Sequence, residues 1–398
     1  MRNNWVKEIQ ERTKNVPISG GKTTKYTTMP SFDDFIFAPG QLAKRPVDYF
    51  KEEISSKTII GKSCKKPVKI ENPIIFGGMS FGALSKEAKI ALAKASSLAG
   101  TIANTGEGGM LEDERKYANK LIAQYSTGRF GISEETLKKA DIIEIKIGQG
   151  AKPGQGGLLC KGKLTDEIAM VRGVSKEKDI HSPAYHKDIK NKEDLKERVS
   201  WLREVSGGVP IVLKLAAGNI EDDLKIAVFA DPDVISFDGT EGGTGAAPEV
   251  MINEVGLPSI VALAKARRFL DKNRARQELW IGGGLVSGGD FAKALAIGAD
   301  AVFVGFPLLV AMGCVYCKMC YLGKCPKGVA TQDPELRKNL DVEDASIKIS
   351  NYIKNSTEEI KMISGAVGED DIHKLNKSHI FALNRESSKI TGIKHISE

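Results

Sequence analysis

From Pro73 onward, short apolar runs alternate with segments of helical periodicity. The runs are PIIFGG (73–78), TIAN (101–104), AQYS (123–126), IIEIKIG (142–148), IVLKLA (211–216), VISFDG (234–239), LWIGGG (279–284) and AVFVG (301–305). They are apolar at nearly every position, as parallel strands covered on both faces are. Helical patterns follow most of them, at 84–99, 133–140, 193–206, 221–230, 258–272 and 288–298. This alternation predicts an α/β fold, either a doubly wound sheet or a closed barrel. The strand ends choose between the two. Six of the eight runs lead into Gly, Asn, Asp or Gln. A (β/α)8 TIM barrel gathers all of those ends on one face, whereas a doubly wound sheet uses only the ends beside its switch point. The expected organisation is an N-terminal arm packing on the barrel (1–72), the barrel itself (73–312), a cysteine-rich segment (313–340) and a C-terminal helical extension and tail (341–398). Residues 1–27 are polar and carry no clear pattern. Aromatics and prolines at 30–60 suit an ordered, irregular arm. The loop at 149–192 is long for a compact domain, which marks it as functional.

Charge changes this picture little. Among 398 residues, 58 Lys and Arg stand against 51 Asp and Glu, a net +7. No block of five like charges and no basic stripe interleaved with aromatics is present, so no nucleic-acid partner is expected. The most apolar stretch, 294–315, contains Asp300 and several glycines. It reads as a buried strand with the element after it, and no membrane span is expected. The opening MRNNWVKEIQERTK lacks an apolar signal region, so a cytoplasmic location is expected.

The 41 glycines cluster at strand ends, where they let a ligand approach the backbone. GGMSFGALS (77–85) offers Met79 and Ser80; a plain turn with a capping serine is the other reading. NTGEGG (104–109) carries Asn104 and Glu107 on a glycine loop, which taken alone would be a surface turn. IKIGQGAKPGQGG (145–157) places Gln149 and Lys152 among five glycines, either as an anion-binding loop or as a flexible one. Lys214 lies inside the apolar VLKLAAG run. There it either points inward to a partner or anionic ligand, or turns out to solvent at the strand edge. SFDGTEGGTGAAP supplies Asp238 and Glu241. Gly283 and Gly284 follow the seventh strand and Gly305 ends the eighth, the usual phosphate site of such barrels. Neither a dinucleotide fingerprint nor a P-loop occurs. A phosphate-bearing cofactor that is not a Rossmann-bound dinucleotide is implied, and flavin mononucleotide (FMN) fits.

Of six cysteines, Cys314, Cys317, Cys320 and Cys325 are spaced C-x2-C-x2-C-x4-C. A dense thiol group in a cytosolic chain reads as metal or cluster ligands. The compressed spacing and the Cys325–Pro326 pair favour an iron–sulfur cluster, with structural zinc as the rival. Cys64 and Cys160 read as small buried or half-buried residues. The histidines form no zinc-protease pattern, and no G-x-S-x-G elbow is present.

GGMSFGALS, NTGEGG, the QGAKPGxGG stretch, FDGTEGGTGA and GVATQDPELR together resemble the FMN-binding synthase domain of glutamate synthase, from about Phe32 to about Leu383. The resemblance implies a (β/α)8 barrel that binds FMN and an iron–sulfur cluster. It also implies reduction of 2-iminoglutarate, formed from 2-oxoglutarate and ammonia, to L-glutamate. It assigns Met79, Ser80, Asn104, Lys214, Asp238, Gly283, Gly284 and Gly305 to FMN, and Gln149, Lys152 and Arg172 to 2-oxoglutarate. Lys152 and Arg172 are then expected to hold the two carboxylates, with Glu107 as the acid near the imine nitrogen. The family's cluster spacing is reproduced by Cys314, Cys320 and Cys325, which implies a 3Fe–4S cluster; the extra Cys317 would complete a 4Fe–4S cluster. Leu158 stands where the large enzymes carry a substrate-binding glutamine. The chain is similar to stand-alone synthase subunits. Ammonia is then expected from a separate glutamine amidotransferase subunit, and electrons from a ferredoxin-like or NAD(P)H-oxidising partner. A related class makes N-methylglutamate. Two readings from other classes are a 2-hydroxy-acid oxidase, which would need a strand-end histidine that is not found, and a non-catalytic electron-transfer or scaffold subunit.

Overall fold

The computed structural model describes Thr13, residues 18–25 and residues 29–398. Eight parallel strands form one sheet: β1 (Ile74–Phe76), β2 (Ala103–Asn104), β3 (Leu121–Tyr125), β4 (Ile142–Lys146), β5 (Ile211–Ala216), β6 (Val234–Asp238), β7 (Glu278–Gly282) and β8 (Ala301–Val304). Their order is β1-β8-β7-β6-β5-β4-β3-β2. A single backbone hydrogen bond, Phe76 N–H to Ile102 O at 3.1 Å, joins the two ends into a ring. The architecture is the TIM barrel expected from the strand ends.

The pleat sorts the side chains. In β5, Ile211, Leu213 and Leu215 pack outward with the helices. Val212 belongs to a separate cluster inside the barrel, with Ile75, Ile122, Val234 and Trp280. The register carries this inner face around the sheet: Gln124 sits beside Glu144, Lys146 beside Lys214, Lys214 beside Ser236, and Asp238 beside Gly282. The barrel is thus apolar at its base and polar toward the C-terminal ends of its strands.

The base is closed by a hairpin, Thr58–Ile60 paired with Val68–Ile70. Its Ile60, Val68 and Ile70 join the inner cluster. The Glu278 carboxylate fixes the hairpin by accepting the Gly61 and Lys62 N–H groups at 2.8 and 3.3 Å.

Helices α1 (Lys86–Leu98), α2 (Glu112–Tyr117), α3 (Glu134–Lys138), α4 (Asp166–Arg172), α5 (Lys192–Val205), α6 (Ile220–Ala230), α7 (Glu249–Glu254), α8 (Ser259–Lys272), α9 (Gly288–Ile297) and α10 (Phe306–Ala311) surround the sheet. The predicted helices 84–99, 193–206, 221–230, 258–272 and 288–298 fall within two residues of α1, α5, α6, α8 and α9. The pattern at 133–140 shortens to the five residues of α3. The 149–192 loop carries structure of its own: α4, and a two-residue pair of Leu158–Leu159 with Ile180–His181. A long helix, α11 (Val342–Ala366), buries Ile349, Ile353 and Ile360 against α1 and α9. The arm pairs Phe35–Phe37 with Ile380–Ala382, and Ile18–Gly21 with Thr244–Pro248. Among the described residues no helix is long and apolar enough to cross a membrane.

Candidate functional site

The C-terminal ends of the strands open into a cavity of about 260 Å³. Its walls are the loops that the glycine motifs singled out. Met79 and Ser80 come from the loop after β1, Glu107 from that after β2, and Gln149 and Lys152 from that after β4. Arg172 reaches in from α4, Lys214 and Asp238 from the ends of β5 and β6. Gly283, Gly284 and Gly305 complete its lining. Asn104 does not line the cavity. It is buried beneath it, where Oδ1 accepts the Gly106 N–H at 2.9 Å and shapes the loop that carries Glu107.

One buried ion pair holds the first two loops. Lys89 of α1 meets Glu114 of α2 at 2.7 Å, with both side chains fully buried. The same ammonium donates to Met79 O at 2.7 Å and Asn104 O at 2.9 Å. Breaking such a pair strands a buried charge, so the loops after β1 and β2 are fixed together.

Glu107 is the electrostatic centre. Lys146 Nζ lies 3.0 Å from its Oε2. Burial pushes the Glu107 carboxyl up, but Lys146, Lys152 and Arg172 outweigh it and hold it below the usual carboxylate range. Burial lowers Lys152, against the pull of Glu107. Its ammonium donates to Ala246 O at 3.3 Å. Burial brings the Arg172 guanidinium down to about 10, which leaves it cationic at neutral pH. Arg172 Nη2 donates to Phe81 O at 2.7 Å and Ser80 Oγ at 3.3 Å. Its buried Nε has no partner among the described residues. Deeper in the barrel, burial lowers Lys214, yet Asp238 and Glu144 prevail and its pKa is raised. Lys214 Nζ sits 3.6 Å from Asp238 Oδ2 and 4.7 Å from the centre of the Phe303 ring. Lys214 therefore points inward and is a buried cation.

The glycine side is built for close approach. Gly283 and Gly284 have φ of +104° and +80°. A Cβ on Gly284 would lie 3.0 Å from that of Glu241, and one on Gly283 would lie 3.0 Å from the Gly239 backbone. Gly305 faces open space, with only Met79 Sδ at 3.9 Å from such a Cβ. Glu241 accepts the Ser259 N–H at the start of α8 at 2.9 Å, and burial raises its carboxyl to about 7.

Several cavity residues were not singled out in the sequence. Lys146, Gln124, Lys163 and Phe303 all line it. A charge or amide within an apolar strand was the available signal for Lys146 and Gln124, the same one that marks Lys214. The four clustered cysteines also line the cavity, Cys325 buried and Cys317 exposed. Among the described residues no three His, Cys, Asp or Glu side chains converge as a metal site. The expected ligand set thus lies along one wall without being gathered in this structure.

Residues 19–370 match the model of the conserved region in glutamate synthase. The chain belongs to the glutamate synthase family. It is 40% identical over 363 residues to an archaeal glutamate synthase (NADPH) of Methanocaldococcus jannaschii, covering 88% of this chain and 71% of that one. It is 37% identical to a glutamate synthase large subunit-like protein of Rhizobium meliloti, covering 92% and 87%. Solved structures share the barrel at low identity. An (S)-mandelate dehydrogenase has a TM-score of 0.58 at 15% identity, covering 91% of this chain and 93% of that one. A mandelate oxidase solved with a monooxide FMN adduct has a TM-score of 0.56 at 17% identity, covering 90% and 93%. These two structures bear on the fold alone; the glutamate synthase relatives bear on the chemistry.

Proposed function

We propose that the chain is the synthase subunit of a glutamate synthase, reducing 2-iminoglutarate from 2-oxoglutarate and ammonia to L-glutamate with FMN. One observation carries the reading: Lys146, Lys152 and Arg172 surround the Glu107 anion, in the cavity that the Gly283–Gly284 turn also lines. A dicarboxylate needs cationic sites, and a phosphate-bearing cofactor needs bare backbone.

The residues fit FMN. Gly305 leaves space that a side chain would fill, and Gly283 and Gly284 form a left-handed turn whose bare backbone a side chain would disrupt. Met79, Ser80, Lys214 and Asp238 line the route from that turn into the barrel. When bound there, FMN supplies the hydride that reduces the C=N bond. Lys152 and Arg172 hold the two substrate carboxylates, the unpartnered Arg172 Nε among the donors, with Gln149 as a further contact. The Glu107 anion stabilises positive charge on the imine nitrogen. A protonated imine accepts a hydride more readily, so Glu107 acts by its field rather than by giving up a proton. Lys146 keeps Glu107 ionised and oriented, and Asn104 braces its loop. Leu158 at the cavity wall removes one polar contact that the large enzymes have.

The cysteine segment fits a cluster by its donor set: Cys314, Cys320 and Cys325, with Cys317 as the fourth thiol, all as free thiols at one wall. An iron–sulfur cluster there supplies electrons one at a time. Ammonia comes from a separate glutaminase subunit and electrons from a ferredoxin-like or NAD(P)H-oxidising partner, in the cytoplasm.

Anaerobic reduction of the flavin-loaded protein, followed by reoxidation with 2-oxoglutarate plus ammonia, tests the reading. Rapid reoxidation by that pair is expected. Reoxidation by methylamine in place of ammonia would move the assignment to N-methylglutamate synthesis, and reoxidation by neither would overturn it.

A further inference from the structure

The N-terminal strand Ile18–Gly21 pairs antiparallel with Thr244–Pro248, the stretch that follows β6. Just beyond it, Thr23 Oγ1 and Thr24 N–H both donate to Asn253 Oδ1 of α7, at 3.3 and 2.9 Å. Lys22 is thus held from both sides, and its side chain enters the cavity. Its Nζ lies 5.1 Å from the centre of the Phe306 ring, and its stem packs at Gly243. Phe306 directly follows Gly305, and the charge acting on Lys22 is that of Glu241, whose Cβ abuts Gly284. Lys22 therefore stands beside the glycine turns after β7 and β8, apart from the ion pair between Glu107 and Lys146. Among the described residues its ammonium makes no hydrogen bond or ion pair, only the contact with the ring face.

Two glycine turns offer backbone N–H donors but no net charge. The carboxylates nearest to them are Asp238 and Glu241, which would repel a phosphate. A buried phosphate monoester needs a cation to offset its desolvation. We infer that Lys22, delivered by the N-terminal strand, is the cation of the cofactor's phosphate site and pairs with the phosphate held at Gly283–Gly284 and Gly305. The inference rests on the FMN reading above and extends it to a residue far from the barrel in sequence. Burial lowers the Lys22 pKa and Glu241 offsets part of that, a balance that a bound dianion tips further toward the ammonium.

Flavin affinities separate the two claims. Dissociation constants for FMN and for riboflavin, which lacks the phosphate, are measured by fluorescence on the full chain, with thermal melting as the folding control. Lys22→Gln should weaken FMN roughly tenfold to a hundredfold, the range of a charged hydrogen bond. Riboflavin affinity should be unchanged, and Lys22→Arg should restore FMN binding. A wild-type chain that binds neither flavin overturns the FMN reading itself. A wild-type chain that binds FMN alongside a Lys22→Gln chain with equal FMN affinity overturns the role of Lys22. Equal weakening of both flavins also overturns it, because the side chain would then only support the cavity wall. A raised KM for 2-oxoglutarate with FMN affinity intact would assign Lys22 to the substrate instead.

Discussion

A carboxylate with one ammonium at 3.0 Å and two further cations close by stays ionised into acid solution. Glu107 depends on that: a neutral Glu107 could not stabilise a charged imine. Glu107→Gln keeps the size and loses the charge, so turnover on 2-oxoglutarate and ammonia should fall by ~10²–10³-fold while flavin reduction is untouched. Wild-type turnover in that variant would remove Glu107 from the mechanism. The sign of the pH dependence follows. Because the pKa is depressed, the active anion is lost only as pH falls through that depressed value, so the Glu107 acid limb should lie below pH 4.5, the ordinary value. A limb near pH 6 that disappears in Glu107→Gln would contradict this. Sequence reasoning reached Glu107, Lys152 and Lys214 because each breaks its surroundings, a charge among glycines or within an apolar strand. It passed over Lys146 and Gln124, although both break apolar strands in the same way. A polar residue in a strand does not by itself reveal which face it occupies; the register that sets Lys146 beside Lys214 places it inside the barrel.

At the scale of elements, the eight strands and the long helices were legible and the short helices were not. Strands β1 to β8 overlap the eight continuous apolar runs, and helices α1, α5, α6, α8 and α9 carry a sustained helical period. Helix α4 has seven residues, too few for a clear period, yet it delivers Arg172. The turns after β7 and β8 are the elements most exposed to test. Gly284 at φ +80° and in contact with Glu241 tolerates no side chain, so Gly284→Val should abolish flavin retention. Its melting temperature without flavin serves as the control, and an unchanged flavin stoichiometry would displace the phosphate from this turn. The cysteine segment was legible as spacing but not as a gathered site. Anaerobic metal analysis should find iron and sulfide, and Cys317→Ala should lower the iron count. Zinc alone would replace the cluster by a structural site, and an unchanged iron count would exclude Cys317 as a ligand.

For the whole molecule, the barrel separates chemistry from closure. The cavity occupies the C-terminal ends of the strands, and the Thr58–Ile70 hairpin seals the opposite end by burying Ile60, Val68 and Ile70 in the inner cluster. No motif announced that seal, because an alternating pair of three-residue strands within a polar arm resembles an ordinary surface hairpin. Its electrostatic latch is Glu278. Burial, with Asp300 nearby, raises this carboxyl to about 7, although it accepts two backbone N–H groups. A raised carboxyl binds its proton more tightly folded than unfolded, so this group's contribution to stability falls as pH rises from about 4.5 to 7 and is lowest above that. Glu278→Gln keeps the acceptor oxygen and removes the titration. The variant and the wild type should then unfold at similar denaturant concentrations near pH 4.5, with the variant more stable by up to about 3 kcal/mol above pH 7. Turnover measured in the folded baseline should not change, because Glu278 lies at the far end of the barrel from Glu107. A stability difference that is constant with pH would show that the latch works through its hydrogen bonds alone. A fall in turnover with stability intact would show that the two ends of the barrel are coupled.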